Sequence, residues 1–230
     1  MIPAKRPILD QDLALLQDNI LRMGSMVESM TEKAVRALKE RNIELAREVR
    51  AEEKVVDQLR LDVEQAGIRT IATQQPLASD LRKIIAATHM AVELERMADY
   101  ANGIAKIVIR SIDEPLLKPL IDIPRMQFIV CGMTHRALDA YVKEDADMAR
   151  AVQAEDDEVD ELYKQILREL VSYMSEDART ISRAMNLLFV AHNLERLGDR
   201  ATNLCERVVY AVTGQLYEPK PQKSNIATLG

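Results

Sequence analysis

Of the acidic residues that stand four positions apart in this sequence, four pairs could do chemistry together: Glu53 and Asp57, Glu95 and Asp99, Asp156 and Asp160, Glu195 and Asp199. On a helix such residues share a face, and like charges so placed repel by roughly a few tenths of a kcal/mol in water and more where water is excluded. A bound cation would relieve that repulsion. Oxygen ligands with no thiolate among them suit hard ions, namely Mg²⁺, Mn²⁺, Ca²⁺ or iron, and the residue types do not choose among these. The plainer alternative is a solvated acidic face in which Arg96 and Arg196 serve as ion-pair partners.

Composition says which elements must carry these groups. With 7 Gly and 8 Pro in 230 residues, against about 16 and 11 at average usage, and only 8 aromatic side chains, a sandwich, a barrel or a nucleotide-binding α/β fold is disfavoured. Ala, Leu, Arg, Glu and Met dominate instead, and these are strong helix formers. The expected class is all-α. Apolar residues at Leu13, Leu16, Ile20, Met23, Val27, Met30, Ala34 and Leu38 recur in steps of three and four, the seam of one long first helix. Asn42 is a plausible N-cap for a second helix carrying Val49, Val56, Leu59, Val63 and Ala66 toward Thr73, which Pro76 stops. A third runs from about Ser79 to about Ser111.

The pattern then repeats. A shift of 103 positions lays Ala46, Arg47, Val49, Ala51, Glu52, Val56, Asp57 and Leu59 on Ala149, Arg150, Val152, Ala154, Glu155, Val159, Asp160 and Leu162, and pairs Asn42 with Asp145. A shift of 100 lays Leu94, Glu95, Arg96, Asp99 and Ala101 on Leu194, Glu195, Arg196, Asp199 and Ala201. The expected architecture is two tandem antiparallel three-helix bundles related by internal duplication. The first spans 8–112, a proline-rich linker 113–124 and the second bundle 125–217, followed by a disordered tail over 218–230.

Continuing the seam of the third helix from Val92 leads to Glu95, Asp99 and Asn102, and that of the sixth runs through His192 to Glu195, Asp199 and Thr202. Carboxylates thus interrupt both core stripes at one register. If the second and third helices form a hairpin, Glu53 is level with Asp99, and Asp57 with Glu95, because both pairs are symmetric about Pro76. Asp156 with Asp199, and Asp160 with Glu195, are likewise symmetric about the turn at Ser175, Glu176 and Asp177. Each bundle brings four carboxylates together. Glu52 and Glu155 lie nearer the ideal seam than their neighbours Glu53 and Asp156, so either member of each neighbouring pair qualifies as the ligand.

Other chemistries find little support. The formal charge is −6 with both signs interspersed, which argues against a general nucleic-acid binder. Cys131 and Cys205 have no metal-type spacing and read as reduced core residues, favouring a cytoplasmic setting. No signal peptide or membrane span is expected, since the longest run free of charge is 11 residues, Ala184 to Leu194. A di-iron oxidase would need Glu-x-x-His on two helices, and no Glu stands three residues before His89, His135 or His192. His192, three residues before Glu195 on the same face, is either a further member of the second site or, the favoured reading, a buried histidine, and the methionines at 23, 26, 30, 126 and 133 are expected to be plain core rather than a docking groove. No Gly-rich phosphate loop or nucleophile elbow is present.

Leu94-Glu95-Arg96-Met97-Ala98-Asp99 and Leu194-Glu195-Arg196-Leu197-Gly198-Asp199, with Gln75-Pro76-Leu77-Ala78-Ser79-Asp80-Leu81-Arg82 ahead of the first, resemble the PhoU family over about Ile8 to Tyr217. The resemblance implies metal clusters held by Glu53, Asp57, Glu95 and Asp99 in one bundle and by Asp156, Asp160, Glu195 and Asp199 in the other. It further implies a non-enzymatic regulator that restrains phosphate uptake and phosphate-starvation signalling. The implied partners are the ATPase subunit of the phosphate ABC transporter, a phosphate-sensing histidine kinase and a second copy in a homodimer. This chain departs from the family pattern at Ala98 and Gly103, where the second repeat has Gly198 and Asn203. A metal-stapled helical scaffold unrelated to phosphate is the rival reading.

Overall fold

The computed structural model describes residues 6–215; the end of the second repeat at Tyr217 and the tail expected at 218–230 lie outside the described residues. Among the described residues seven α-helices follow one another: α1 Pro7–Glu40, α2 Ile43–Gln74, α3 Ala78–Arg110, α4 Asp122–Lys143, α5 Ala146–Gln153, α6 Asp156–Glu176 and α7 Ile181–Thr213, with one 3₁₀ turn, Ala178–Thr180, before the last. No strand occurs among the described residues. The duplication extends to the turns. Arg41 and Glu144, equivalent residues, close α1 and α4 in the left-handed region at φ 54° and 52°. Asn42 and Asp145 then cap the following helices, Asn42 Oδ1 accepting from the Leu45 N–H at 3.1 Å and Asp145 Oδ1 from Met148 at 2.9 Å.

Two findings differ from the sequence reading. The second helix of the second repeat is broken at Ala154 and Glu155 into α5 and α6. Glu155, Asp156, Asp157 and Glu158 are four acids in a row; starting a new helix there places Asp156, Asp157 and Glu158 in its first turn, where the positive end of the helix dipole favours them. The first repeat has Lys54 in place of Asp157 and stays continuous. Secondly, α4 takes in Asp122, Ile123 and Pro124, assigned to the linker by sequence, because a proline in the first helical turn forfeits no intrahelical hydrogen bond.

The packing makes two layers. Helices α2, α3 and α7 lie side by side with α5 and α6 beyond, and α1 and α4 pack behind them and against each other. The two halves meet along α3 and α7, which run antiparallel over their whole lengths: Arg82 lies against Gly214, Glu93 accepts from Asn203 at 3.0 Å, Gly103 lies against Asn193, and Arg110 donates to Asn186 at 2.8 Å. Each step along α3 is matched by an equal step back along α7. α1 and α4 also cross antiparallel, with Gly24 against Leu138 and Cys131 against the Glu28 carbonyl; a side chain at Gly24 would collide with Leu138. One core fills both halves, and the equivalent pairs Met23 with Met126 and Met30 with Met133 are fully buried in it. Cys131 and Cys205 are buried free thiols, as expected. No described helix is long and apolar enough to cross a membrane.

Candidate metal centres

The two candidate sites are grooves between neighbouring helices on the side of the layer away from α1 and α4. In the first, Glu53 and Asp57 come from α2, Glu95 and Asp99 from α3. Glu53 is held above the ordinary carboxylate range by burial and by the charges of Asp57 and Asp99, and Glu95 by burial, then Asp99 and Asp57. The hairpin about Pro76 therefore brings these four groups into one field. Asn102, buried beside them, donates its side-chain amide to Glu53, while its own Oδ1 is buried with no hydrogen bond. Arg60, Arg96 and Lys106 act on this set only as neighbouring charges.

The second set joins Asp156 and Asp160 of α6 to Glu195 and Asp199 of α7. It is more deeply buried and its field is stronger. Burial, then Asp160, Asp199 and Glu195, push Asp156 up to about 7. Burial and Asp199 push Glu195 up to about 7 against the opposing charge of Arg196. The Arg196 guanidinium bridges the two α7 acids, Nη1 at 2.6 Å from Asp199 Oδ2 and Nε at 3.5 Å from Glu195 Oε2. That Glu195 oxygen is buried and makes no hydrogen bond. Gly198 lets Asp156 close in on the α7 backbone, and Val159 and Val130 line the same spot.

The pairs left open by sequence separate cleanly. Glu52 pairs with Lys33 of α1, and Glu155 pairs with Arg136 of α4. Lys33 and Arg136 are themselves equivalent under the 103-residue shift, so the same ion pair occurs twice, and it turns Glu52 and Glu155 toward α1 and α4. Glu53 and Asp156 are left facing α3 and α7. His192, expected to be buried, has a side chain 46% exposed; it lies 3.7 Å from Glu195 Oε2 and beside the Tyr163 ring, because it sits at the rim of the groove and not under it. Tyr163 was not singled out by sequence. It occupies the position of Arg60 in the first repeat, so α2 offers its acidic groove a cation where α6 offers a neutral ring. Asn203 turns away from the carboxylates to Glu93 in the α3/α7 seam, joined there by Arg200 at 3.2 Å.

The donor set fits a hard cation in chemistry: oxygen only, four carboxylates in each groove and, in the second, a buried carboxylate oxygen without a hydrogen bond. As the side chains stand, no three of the described His, Cys, Asp or Glu groups converge in a geometry that would hold a metal ion.

Two fused three-helix repeats, each bearing a groove of four carboxylates between its second and third helical positions, define a tandem all-α protein of acidic interhelical grooves. The PhoU domain matches it twice, over residues 20–108 and 123–208. The chain belongs to the PhoU family. It is 40% identical to the phosphate-specific transport system accessory protein PhoU homolog of Zymomonas mobilis, over 96% of this chain and 94% of that one. It is 38% identical to the homolog of the same description in Clostridium acetobutylicum, over 91% and 96%. The crystal structure of PhoU from Pseudomonas aeruginosa superposes with a TM-score of 0.85 at 36% identity, covering 90% of this chain and 99% of that one. The phosphate transport system regulatory protein PhoU from Streptococcus pneumoniae gives 0.85 at 28%, over 92% and 100%.

Proposed function

We propose that this protein is an accessory regulator of phosphate transport and of the phosphate-starvation response, acting through binding and not catalysis. The single observation that carries the reading is kinship over nearly the full length, on both sides, with phosphate-specific transport system accessory proteins. The partners we assign are the ATPase subunit of the phosphate ABC transporter, a phosphate-sensing histidine kinase and a second copy of the chain, all met in the cytoplasm. The two carboxylate sets are proposed as metal centres for Mg²⁺, Mn²⁺, Ca²⁺ or iron. Glu53, Asp57, Glu95 and Asp99 would hold one, Asp156, Asp160, Glu195 and Asp199 the other. A cation there supplies positive charge that offsets four clustered carboxylates. The protein's own part is to fix the helices: Asn102 orients Glu53, Gly198 admits Asp156, and the Lys33–Glu52 and Arg136–Glu155 pairs hold α2 and the Glu155 junction to α1 and α4. Offsetting the acids changes the charge that the outer face presents to a partner.

The test is alkaline phosphatase activity in phosphate-rich medium after deletion of the gene. Constitutive activity, repressed again by the wild-type gene, is the expected result; an enzyme that stays repressed in the deletion strain overturns the reading. Complementation with Asp99→Asn plus Asp199→Asn then reports whether the carboxylates take part.

A further inference from the structure

The two carboxylate sets share their acids but not their counter-charges. Arg196 Nη1 is 2.6 Å from Asp199 Oδ2 and Nε is 3.5 Å from Glu195 Oε2, so one guanidinium covers both acids that α7 contributes. Its equivalent, Arg96, is exposed and forms no ion pair with Glu95 or Asp99. Arg60, the other cation near the first set, is turned along its own helix to Glu64 at 3.1 Å, and Tyr163 stands at its place in the second. Among the described residues the first set thus has cations at a distance and no ion pair, whereas Arg196 is in contact with the second.

We propose that Arg196 is a built-in competitor for the second metal centre: the guanidinium occupies the Glu195–Asp199 pair until a metal ion displaces it. The inference rests on the metal-binding reading above. A guanidinium carries one permanent positive charge and five donors and cannot be neutralised by losing a proton, so it leaves the pair only by rotating away on its own side chain. With 38% of that side chain exposed, a path to water is open. Asp156, Asp160, Glu195 and Asp199 would hold a doubly charged ion, whose attraction to these carboxylates would offset the lost hydrogen bond. The device makes the second centre demand a higher metal concentration than its acids alone would require, and it couples filling of that centre to release of an arginine onto the outer face.

The experiment is a titration with Mn²⁺, counting free ion by its electron paramagnetic resonance signal, for the wild type, Arg196→Gln and Arg96→Gln, each also carrying Asp99→Asn to isolate the second set. Circular dichroism melts verify that every variant is folded. Removing Arg196 should tighten Mn²⁺ at the second set by about ten- to a hundredfold, the worth of a charge-assisted hydrogen bond. Removing Arg96, which acts from a distance, should change it by less than about threefold. Mn²⁺ binding at the second set with Arg196 present, unchanged or weaker in Arg196→Gln, overturns the inference and leaves the metal reading standing, since Arg196 would then be holding ligands in place. Folded protein that binds no Mn²⁺ in any form overturns the metal reading and this inference with it.

Discussion

Gly198 of α7 lies so close to Asp156 of α6 that a side-chain carbon there would sit 3.0 Å from Asp156 Oδ1. In the first repeat the equivalent residues are Ala98 and Glu53. The exchange is complementary: a longer carboxylate reaches past a methyl group, and a shorter one needs the helix backbone to be bare. Gly198→Ala should displace the Asp156 carboxylate by a few tenths of an ångström and weaken metal binding at the second set by about tenfold, the usual effect of disturbing ligand support. The first set should not change. Adding Asp156→Glu should restore much of the loss, a coupling that a double-mutant cycle measures directly.

The acid cluster should make the metal-free protein less stable as pH rises. Asp156 and Glu195 are pushed up to about 7, so the folded chain holds their protons more tightly than the unfolded chain does. Their contribution is fully present below the ordinary carboxylate range and is lost as pH climbs through about 7. His89 and His192 are shifted down by burial and act in the opposite sense only below their ordinary value of about 6.5. In chelator, the melting temperature at about pH 6.5 should therefore exceed that at about pH 8. Asp156→Asn and Glu195→Gln should each raise it at the higher pH and flatten the slope. A melting temperature that does not vary over this range contradicts the burial of these groups.

Glu52 and Glu155 are bound to Lys33 and Arg136 and should not be ligands. Glu52→Gln combined with Glu155→Gln is expected to leave Mn²⁺ stoichiometry unchanged. Both pairs are partly exposed, so the loss of stability should be no more than about 1 kcal/mol per pair by denaturant melts. Loss of metal instead would place the ligands one residue earlier on each helix.

Burial pushes the thiols of Cys131 and Cys205 up to about 12, which leaves almost no thiolate at neutral pH. Folded protein should react with a disulfide reagent such as Ellman's far more slowly than denatured protein, in which two thiols should titrate at once. Rapid reaction of either cysteine in the folded state would contradict the packing of α4 against α1 or of α7 in the core.

Much of this was written in the sequence because it rests on local rules. The heptad seam of α1, the equivalent caps Asn42 and Asp145, and the hairpin about Pro76 each follow from side-chain period, hydrogen-bonding type or a missing N–H, and together they fix which carboxylates are level. What escaped depends on rotamer and tertiary approach. Nothing local tells Arg196, which reaches forward to Asp199, from Arg96, which makes no such pair with Asp99. The break at Glu155 comes from a balance of four adjacent charges against helix continuity. The pairing of α3 with α7 adds polar contacts, through Glu93, Asn193 and Asn203, to the shared apolar interior, and no hydrophobic period announces those contacts. Lys33 and Arg136 were within reach, since the shift that aligns Glu52 with Glu155 aligns them too.

Helix α7 packs on α3 as well as on α4, α5 and α6. The longest element of the second repeat is thereby also a wall of the first, and Leu94, Met97 and Ala101 share one continuous interior with Leu194, Leu197 and Ala201. Peeling α7 away would open both halves at once. Although the chain was assembled from two copies of a unit, it should melt in a single cooperative transition, and the most slowly exchanging amides should lie on α3 and α7 together, not in one repeat ahead of the other.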